Sequence, residues 1–221
     1  MYPEEAMFES FFFVALSTII TVVNPLGALP PFLVMTADDP LAQRRSCAFR
    51  ATLVSGGTLA VCALMGTAVF TFYGITMPAL KISGGILILL LSIDMLNARQ
   101  SRAKSTQEEQ DEGVQREDIA IFPLGIPLLT GPGSIVSVFM LMDKANTFPK
   151  QSAVFAAIGV TMIITFLLLS QAHHVSRVVG KIGLNVFSRL MGLVLASIAI
   201  EFILDGIRQA LPGLAGKGGL H

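Results

Sequence analysis

Asn24-Pro25-Leu26-Gly27-Ala28-Leu29-Pro30-Pro31 interrupts an apolar run that extends over 8–37. A run of that length reads as a membrane-crossing helix, which needs about 20 apolar residues. No regular helix survives the octapeptide: each proline removes a backbone donor and blocks the carbonyl one turn back, and Gly27 opens conformations closed to other residues. A second stretch repeats the pattern. Ile126-Pro127-Leu128-Leu129 leads into Thr130-Gly131-Pro132-Gly133-Ser134, after which an apolar segment resumes over 135–142.

The surrounding chain has the composition of a membrane protein. Of 221 residues, 53% are hydrophobic and 14% charged, with a mean hydropathy of +0.71, whereas soluble domains carry about 25% charged residues. Fifteen Lys+Arg balance 15 Asp+Glu, so there is no basic excess to grip nucleic acid or anionic lipid. Apolar runs place six spans near 8–37, 47–73, 78–98, 119–142, 153–173 and 186–208. The polar stretch 99–118 reads as a solvated linker, which makes the chain one all-α integral membrane domain with a three-helix unit over 1–98 and another over 119–221. The start carries Glu4 and Glu5 and no Lys or Arg before the first span. That is unlike a secretory signal, so the span is expected to be retained.

Ten Lys and Arg residues follow spans one, three and five (Arg44, Arg45, Arg50, Arg99, Arg102, Lys104, Arg116, Arg177, Lys181 and Arg189), against five on the other side (Lys81, Lys144, Lys150, Arg208 and Lys217). The positive-inside rule puts the ten in the cytoplasm, with the linker, and both termini outside. A shift of 107 positions brings Pro25 onto Pro132, Gly85 onto Gly192 and Asp94 onto Glu201 without gaps. Each half then holds three spans, an odd number, so the second half enters the membrane from the opposite side. That is the inverted-repeat plan of many secondary transporters, with the first and fourth helices broken.

Unwound backbone in hydrocarbon leaves amides and carbonyls unpaired unless it is buried in protein or lines a wet cavity. A half-helix that resumes after a break offers N–H groups and a positive dipole end to a carboxylate, and one that stops offers carbonyls to an ammonium. Two such breaks describe a site for a small zwitterion, and the absence of Lys, Arg, Asp and Glu from both calls for a neutral side chain. The candidate binding residues are Asn24, Pro25, Leu26, Gly27, Thr130, Gly131, Pro132, Gly133 and Ser134. A pair of proline kinks that serve only packing is the competing reading. Asp94 and Glu201 are candidates for proton coupling, because intramembrane acids relay protons; interfacial polar residues are the alternative, with Asp205 and Arg208 following Glu201 at helical spacing.

Small residues stripe the second span (Gly56, Ala60, Ala63, Thr67) and the sixth (Gly192, Ala196, Ala199), as close helix packing requires. The start of the third span, Lys81-Ile82-Ser83-Gly84-Gly85, reads either as packing or as a border of the cavity. Cys47 and Cys62, 15 positions apart, lie about 22 Å from each other on one helix and cannot bridge. His173 and His174 diverge by about 100° on a helix and do not chelate. No catalytic, metal-ligating or nucleotide-binding motif is present in the sequence, so no enzyme, metal, cofactor or self-contained primary pump is expected.

Asn24-Pro25-Leu26-Gly27-Ala28-Leu29-Pro30, Ile126 to Ser134, Ser83-Gly84-Gly85-Ile86, and Arg189-Leu190-Met191-Gly192-Leu193 with Asp205-Gly206-Ile207-Arg208 together resemble the MarC family of bacterial inner-membrane proteins, over nearly the whole chain. Some members, the SnatA group, are described as transporters of small neutral amino acids such as glycine and alanine, and the family is grouped with the LysE exporter superfamily. The resemblance implies six spans, that substrate class, and binding positions at Asn24 to Gly27 and Thr130 to Ser134. The expected function is a secondary transporter of glycine, alanine or serine in the inner membrane, with H+ or Na+ as a coupling ion. The alternative is a non-transporting scaffold that recruits a partner through 99–118.

Overall fold

Proline and glycine set where the helices stop. In the computed structural model, which describes residues 4–66, 72, 74–97 and 120–211, the first apolar run is divided in two. Helix α1, Glu4–Val23, ends where Asn24 adopts a φ of 52°. Asparagine tolerates this left-handed geometry because its short side chain bonds locally: the Gly27 N–H donates to Asn24 Oδ1 at 3.2 Å. Helix α2, Leu29–Met35, carries Pro30 and Pro31 in its first turn, where a missing N–H costs nothing. Arg44 then closes the loop into α3, Leu41–Met65, donating from Nη2 to the Ala37 carbonyl at 2.8 Å and from Nε to the Asp39 carbonyl at 2.9 Å.

Helix α4, Met77–Leu96, starts at a Thr76 cap. After the undescribed stretch that contains the linker 99–118 come a π-helical segment, Ala120–Leu129, and the helices α5, Pro132–Lys144, α6, Phe148–Ser170, and α7, Ala172–Ala210. Helix α7 kinks at Gly180, whose φ of 66° favours glycine. All these elements are helical. α3, α4, α6 and the stretch Ile182–Ala210 of α7 are long and apolar enough to cross a membrane, and Phe8–Val23 is a shorter apolar helix.

Several boundaries differ from the hydropathy reading. Helix α3 begins at Leu41, not near 47, and ends at Met65, not near 73; α6 begins at Phe148, not near 153, and α7 at Ala172, not near 186. Hydropathy marks only the part of a helix that suits lipid, whereas polar residues with good helix propensity, such as Gln43, Arg44 and Arg45, continue the hydrogen-bond ladder beyond it.

In lipid, helices associate through close van der Waals packing at small residues, and α4 and α7 do so backbone to backbone. A β-carbon on Gly85 would lie 2.8 Å from the Ala199 carbonyl oxygen and 3.2 Å from the Ile203 nitrogen; one on Gly192 would lie 3.1 Å from both the Ser92 oxygen and the Leu96 nitrogen. Gly206 meets the Pro78 oxygen in the same way at 2.9 Å. The two helices therefore run antiparallel. Moved by 107 positions, α3 falls on 148–172 and α4 on 184–203, over α6 and within α7. Ile88 and Leu195, one such matched pair, are both fully buried in the core shared by α4, α5 and α7. A larger core joins Ile19, Phe32, Leu59, Leu129, Val138 and Ile158.

Candidate substrate site at the helix breaks

The second break is shorter than the sequence suggests. Only Thr130 and Gly131 leave helical geometry, because Pro132, Gly133 and Ser134 already form the first turn of α5. Proline at the first helical position gives up an N–H that has no intrahelical acceptor anyway. Upstream, the Thr130 N–H donates at 3.1 Å to the carbonyl of Gly125, five residues back. Such π turns recur at functional sites. The segment is held to α3 by Ser55, whose Oγ donates to the Gly125 carbonyl at 3.0 Å.

Gly133 brings the breaks together. Its absent side chain lets α5 close on α1: a β-carbon there would be 3.3 Å from Val22 Cγ1, 3.6 Å from Ile88 Cγ1 and 3.7 Å from Leu91 Cδ2. Val22 precedes Asn24 by two residues, so the end of α1 touches the start of α5 midway along α4. Asn24 is buried, with Nδ2 3.9 Å from Met95 Sδ in the last turn of α4. The first break thus lies toward one end of α4, and the second beside its middle.

The two breaks differ in what they offer a ligand. At the first, the Gly27 N–H is taken by Asn24 Oδ1, the Ala28 N–H by the Asn24 carbonyl at 3.2 Å and the Leu29 N–H by the Leu26 carbonyl at 3.3 Å, and Pro30 and Pro31 have no N–H. This corrects the expectation of free donors where the helix resumes: the tight turn consumes them. Pro25 is buried, while Leu26 and Gly27 are half-buried.

The second break retains polar capacity. Serine and threonine hydroxyls in these helices usually bond back to a carbonyl one turn earlier, as in Thr18 to Val14 (2.8 Å), Thr52 to Ala48 (2.9 Å), Ser92 to Leu89 (2.7 Å) and Thr165 to Thr161 (2.7 Å). Thr130 Oγ1 and Ser137 Oγ have no partner, although the residues are 1% and 0% exposed. Between them, Ser134 Oγ reaches back across the break to the Leu129 carbonyl at 3.4 Å. Ser134 and Ser137 lie three apart on one face of α5, and Thr130 lies in the break just before its first turn. Sequence reading did not include Ser137; the available signal was its i+3 spacing from Ser134.

Asp94 and Glu201 are not brought together. Glu201 is exposed and level with Gly85, and the half-buried Asp94 is level with Gly192, which separates them by about 14 Å along the α4–α7 pair. The charged cluster inside the bundle is a different one. Lys81, 3% exposed, places Nζ 3.1 Å from Asp205 Oδ2 and 3.4 Å from Asp143 Oδ2, joining α4, α7 and α5. The sequence reading counts Lys81 among the positive charges on the outer side and, with Ile82 to Gly85, as packing or a border of the cavity; a lysine within an apolar span also needs partners. His173 and His174 are exposed, and His173 Nε2 lies 3.0 Å from Arg177 Nη2. A groove of about 410 Å³ runs between α3 and α6, past Gly56, Gly57 and Gly159, and includes no residue of either break.

A family model described as MarC family integral membrane protein matches residues 9–211. The chain belongs to the MarC family. It is 37% identical over 201 residues to a UPF0056 membrane protein of Methanocaldococcus jannaschii, covering 91% of this chain and 98% of that one. It is also 33% identical to YvbG of Bacillus subtilis, over 94% of this chain and 99% of the relative, and 32% identical to YhcE of Escherichia coli, over 92% and 93%. Both are UPF0056 membrane proteins. The MarC assignment thus spans both helix breaks and the Lys81 cluster. No solved structure matches the chain.

Proposed function

We propose that this MarC-family chain is a secondary transporter of small neutral amino acids, such as glycine, alanine and serine, working by alternating access in the bacterial inner membrane. The observation that carries the reading is the unpartnered Thr130 hydroxyl, 1% exposed at a backbone break that packs on the end of α1. A buried hydroxyl without a partner costs about 1–3 kcal/mol, and a polar ligand removes that cost. Thr130, Ser134 and Ser137 accept from the ammonium group, and the first turn of α5, with Gly133 N–H lacking an intrahelical acceptor, faces the carboxylate. Gly131 and Gly133 bring backbone close and leave little room for a larger side chain. Asn24 to Gly27 contribute shape more than donors, because their N–H groups are largely bonded within the turn.

Six spans in two inverted halves suit this mechanism. Support comes from the matched positions of α3 with α6 and of α4 with α7, and from the reciprocal glycine contacts between α4 and α7. The arginine-rich side is cytoplasmic in this reading, both termini are periplasmic, and H+ or Na+ is the coupling ion. In the test, purified protein in liposomes takes up labelled glycine saturably, and Gly133→Leu, which puts bulk against Val22, abolishes uptake. No uptake under either ion gradient, or normal uptake by a folded Gly133→Leu protein, overturns the reading.

A further inference from the structure

Lys81, Asp143 and Asp205 meet at the end of α4 opposite the one that Asn24 touches. Ionisable groups within spans are costly, pair with one another and mark transport paths. We propose that the three form an ionic gate on the path to Thr130 and Ser137, which opens when Asp143 parts from Lys81 while Asp205 stays paired. The proposal builds on the transport reading and adds residues that the breaks do not include.

The three helices are not equally free to move. Helices α4 and α7 touch through main-chain atoms at Gly85, Gly192 and Gly206, so neither shifts without a backbone clash. Helix α5 meets α4 through side chains and not main chain, with Val136 Cγ1 and Cβ and Met140 Cε against Gly84. A side-chain contact can repack where a main-chain contact cannot. Helix α5 also begins at the Thr130–Gly131 break, where the hydrogen-bond ladder is interrupted, and Asp143 sits near its far end, about 16 Å away.

Lys81 Nζ lies 3.1 Å from Asp205 within the α4–α7 pair and 3.4 Å from Asp143 on α5. When α5 swings out, Asp143, whose side chain is already 28% exposed, gains water, and Lys81, at 4%, keeps one carboxylate. No charge is left buried alone. Lys144, with Nζ 5.7 Å from the Phe202 ring centroid, gives the same end of α5 a weaker second hold on α7.

The test uses full-length protein in liposomes, with Cys47→Ala and Cys62→Ala and a Ser134→Cys reporter, treated with a membrane-impermeant maleimide. Asp143→Asn is expected to speed labelling about tenfold by shifting the gate toward open. Asp143→Glu, which retains the carboxylate, keeps the slow rate, and Glu9→Gln, on an exposed face of α1, leaves it unchanged. An unchanged rate in Asp143→Asn, with the melting transition intact, overturns the gate, as does equal acceleration by Asp205→Asn. Glycine uptake by the unmutated protein is measured in parallel. Faster labelling in Asp143→Asn without any such uptake keeps the gate and removes the amino acid reading; uptake with unchanged labelling does the reverse.

Discussion

Gly85 and Gly192, 107 positions apart, mirror each other's surroundings. Gly85 lies against the Ala199 oxygen and the Ile203 nitrogen, and Gly192 against the Ser92 oxygen and the Leu96 nitrogen, which are the same two positions moved by the same offset. Two antiparallel helices related in this way form a self-complementary contact like that of a two-fold dimer, built within one chain.

Close backbone contact makes both glycines intolerant of a methyl group. Gly85→Ala and Gly192→Ala should each destabilise the protein by about 1–3 kcal/mol through overpacking. Gly57→Ala and Gly159→Ala, whose new methyls meet nothing within 4 Å, should not. Thermal unfolding in one detergent ranks the four, and equal melting of all of them would refute the contact.

Thr130→Val separates stability from binding. Removal of a buried, unpartnered hydroxyl should leave stability unchanged or raise it by up to about 1 kcal/mol, while glycine-induced thermal stabilisation falls. Ser137→Ala should do the same. Loss of stability with unaltered ligand response would mean that the hydroxyls serve the fold.

Asn24 holds its left-handed turn at a φ of 52°. Asn24→Gly should cost little in backbone terms, and Asn24→Val more by about 1–2 kcal/mol, because a β-branched side chain is poorly accommodated there. Melting temperatures of the two variants give the difference, and a reversed order would argue against this geometry.

Lys81→Met leaves Asp143 and Asp205 facing each other across a largely buried position. Loss of one member of a buried ionic group is destabilising by about 3–5 kcal/mol, and water at the partly exposed carboxylates brings the expected cost to the lower end. Neutralising both partners as well, with Asp143→Asn and Asp205→Asn, should recover most of it. The triple variant and Lys81→Met, unfolded side by side, show whether the charges act as a unit.

Much of the fold was legible because it rests on local chemistry. The pyrrolidine rings around Gly27 and Gly133 exclude an unbroken helix, and the two interruptions begin at Asn24 and Thr130, where the peptides place them, although the second ends three residues early. The junction of α6 and α7 near residue 171 was legible only as a polar gap, because Gln171 to Lys181 suit a helix as well as a loop. The unequal character of the breaks was not legible at all. Asn24 and Thr130 each precede a proline and a glycine within three residues, yet one has its neighbours' donors absorbed by a turn and the other carries a hydroxyl with no partner.

Composition and proline spacing by themselves determined that the chain lives in lipid, that its long segments are helices and that two of them break, since hydrophobic transfer and backbone sterics act residue by residue. Only the tertiary structure decided that Val22 meets Gly133 and that Lys81 serves Asp143 and Asp205 rather than the solvent. Those contacts join residues 62 to 124 positions apart, and which face of a helix meets which neighbour is set by the packing of the whole bundle, which no local pattern encodes.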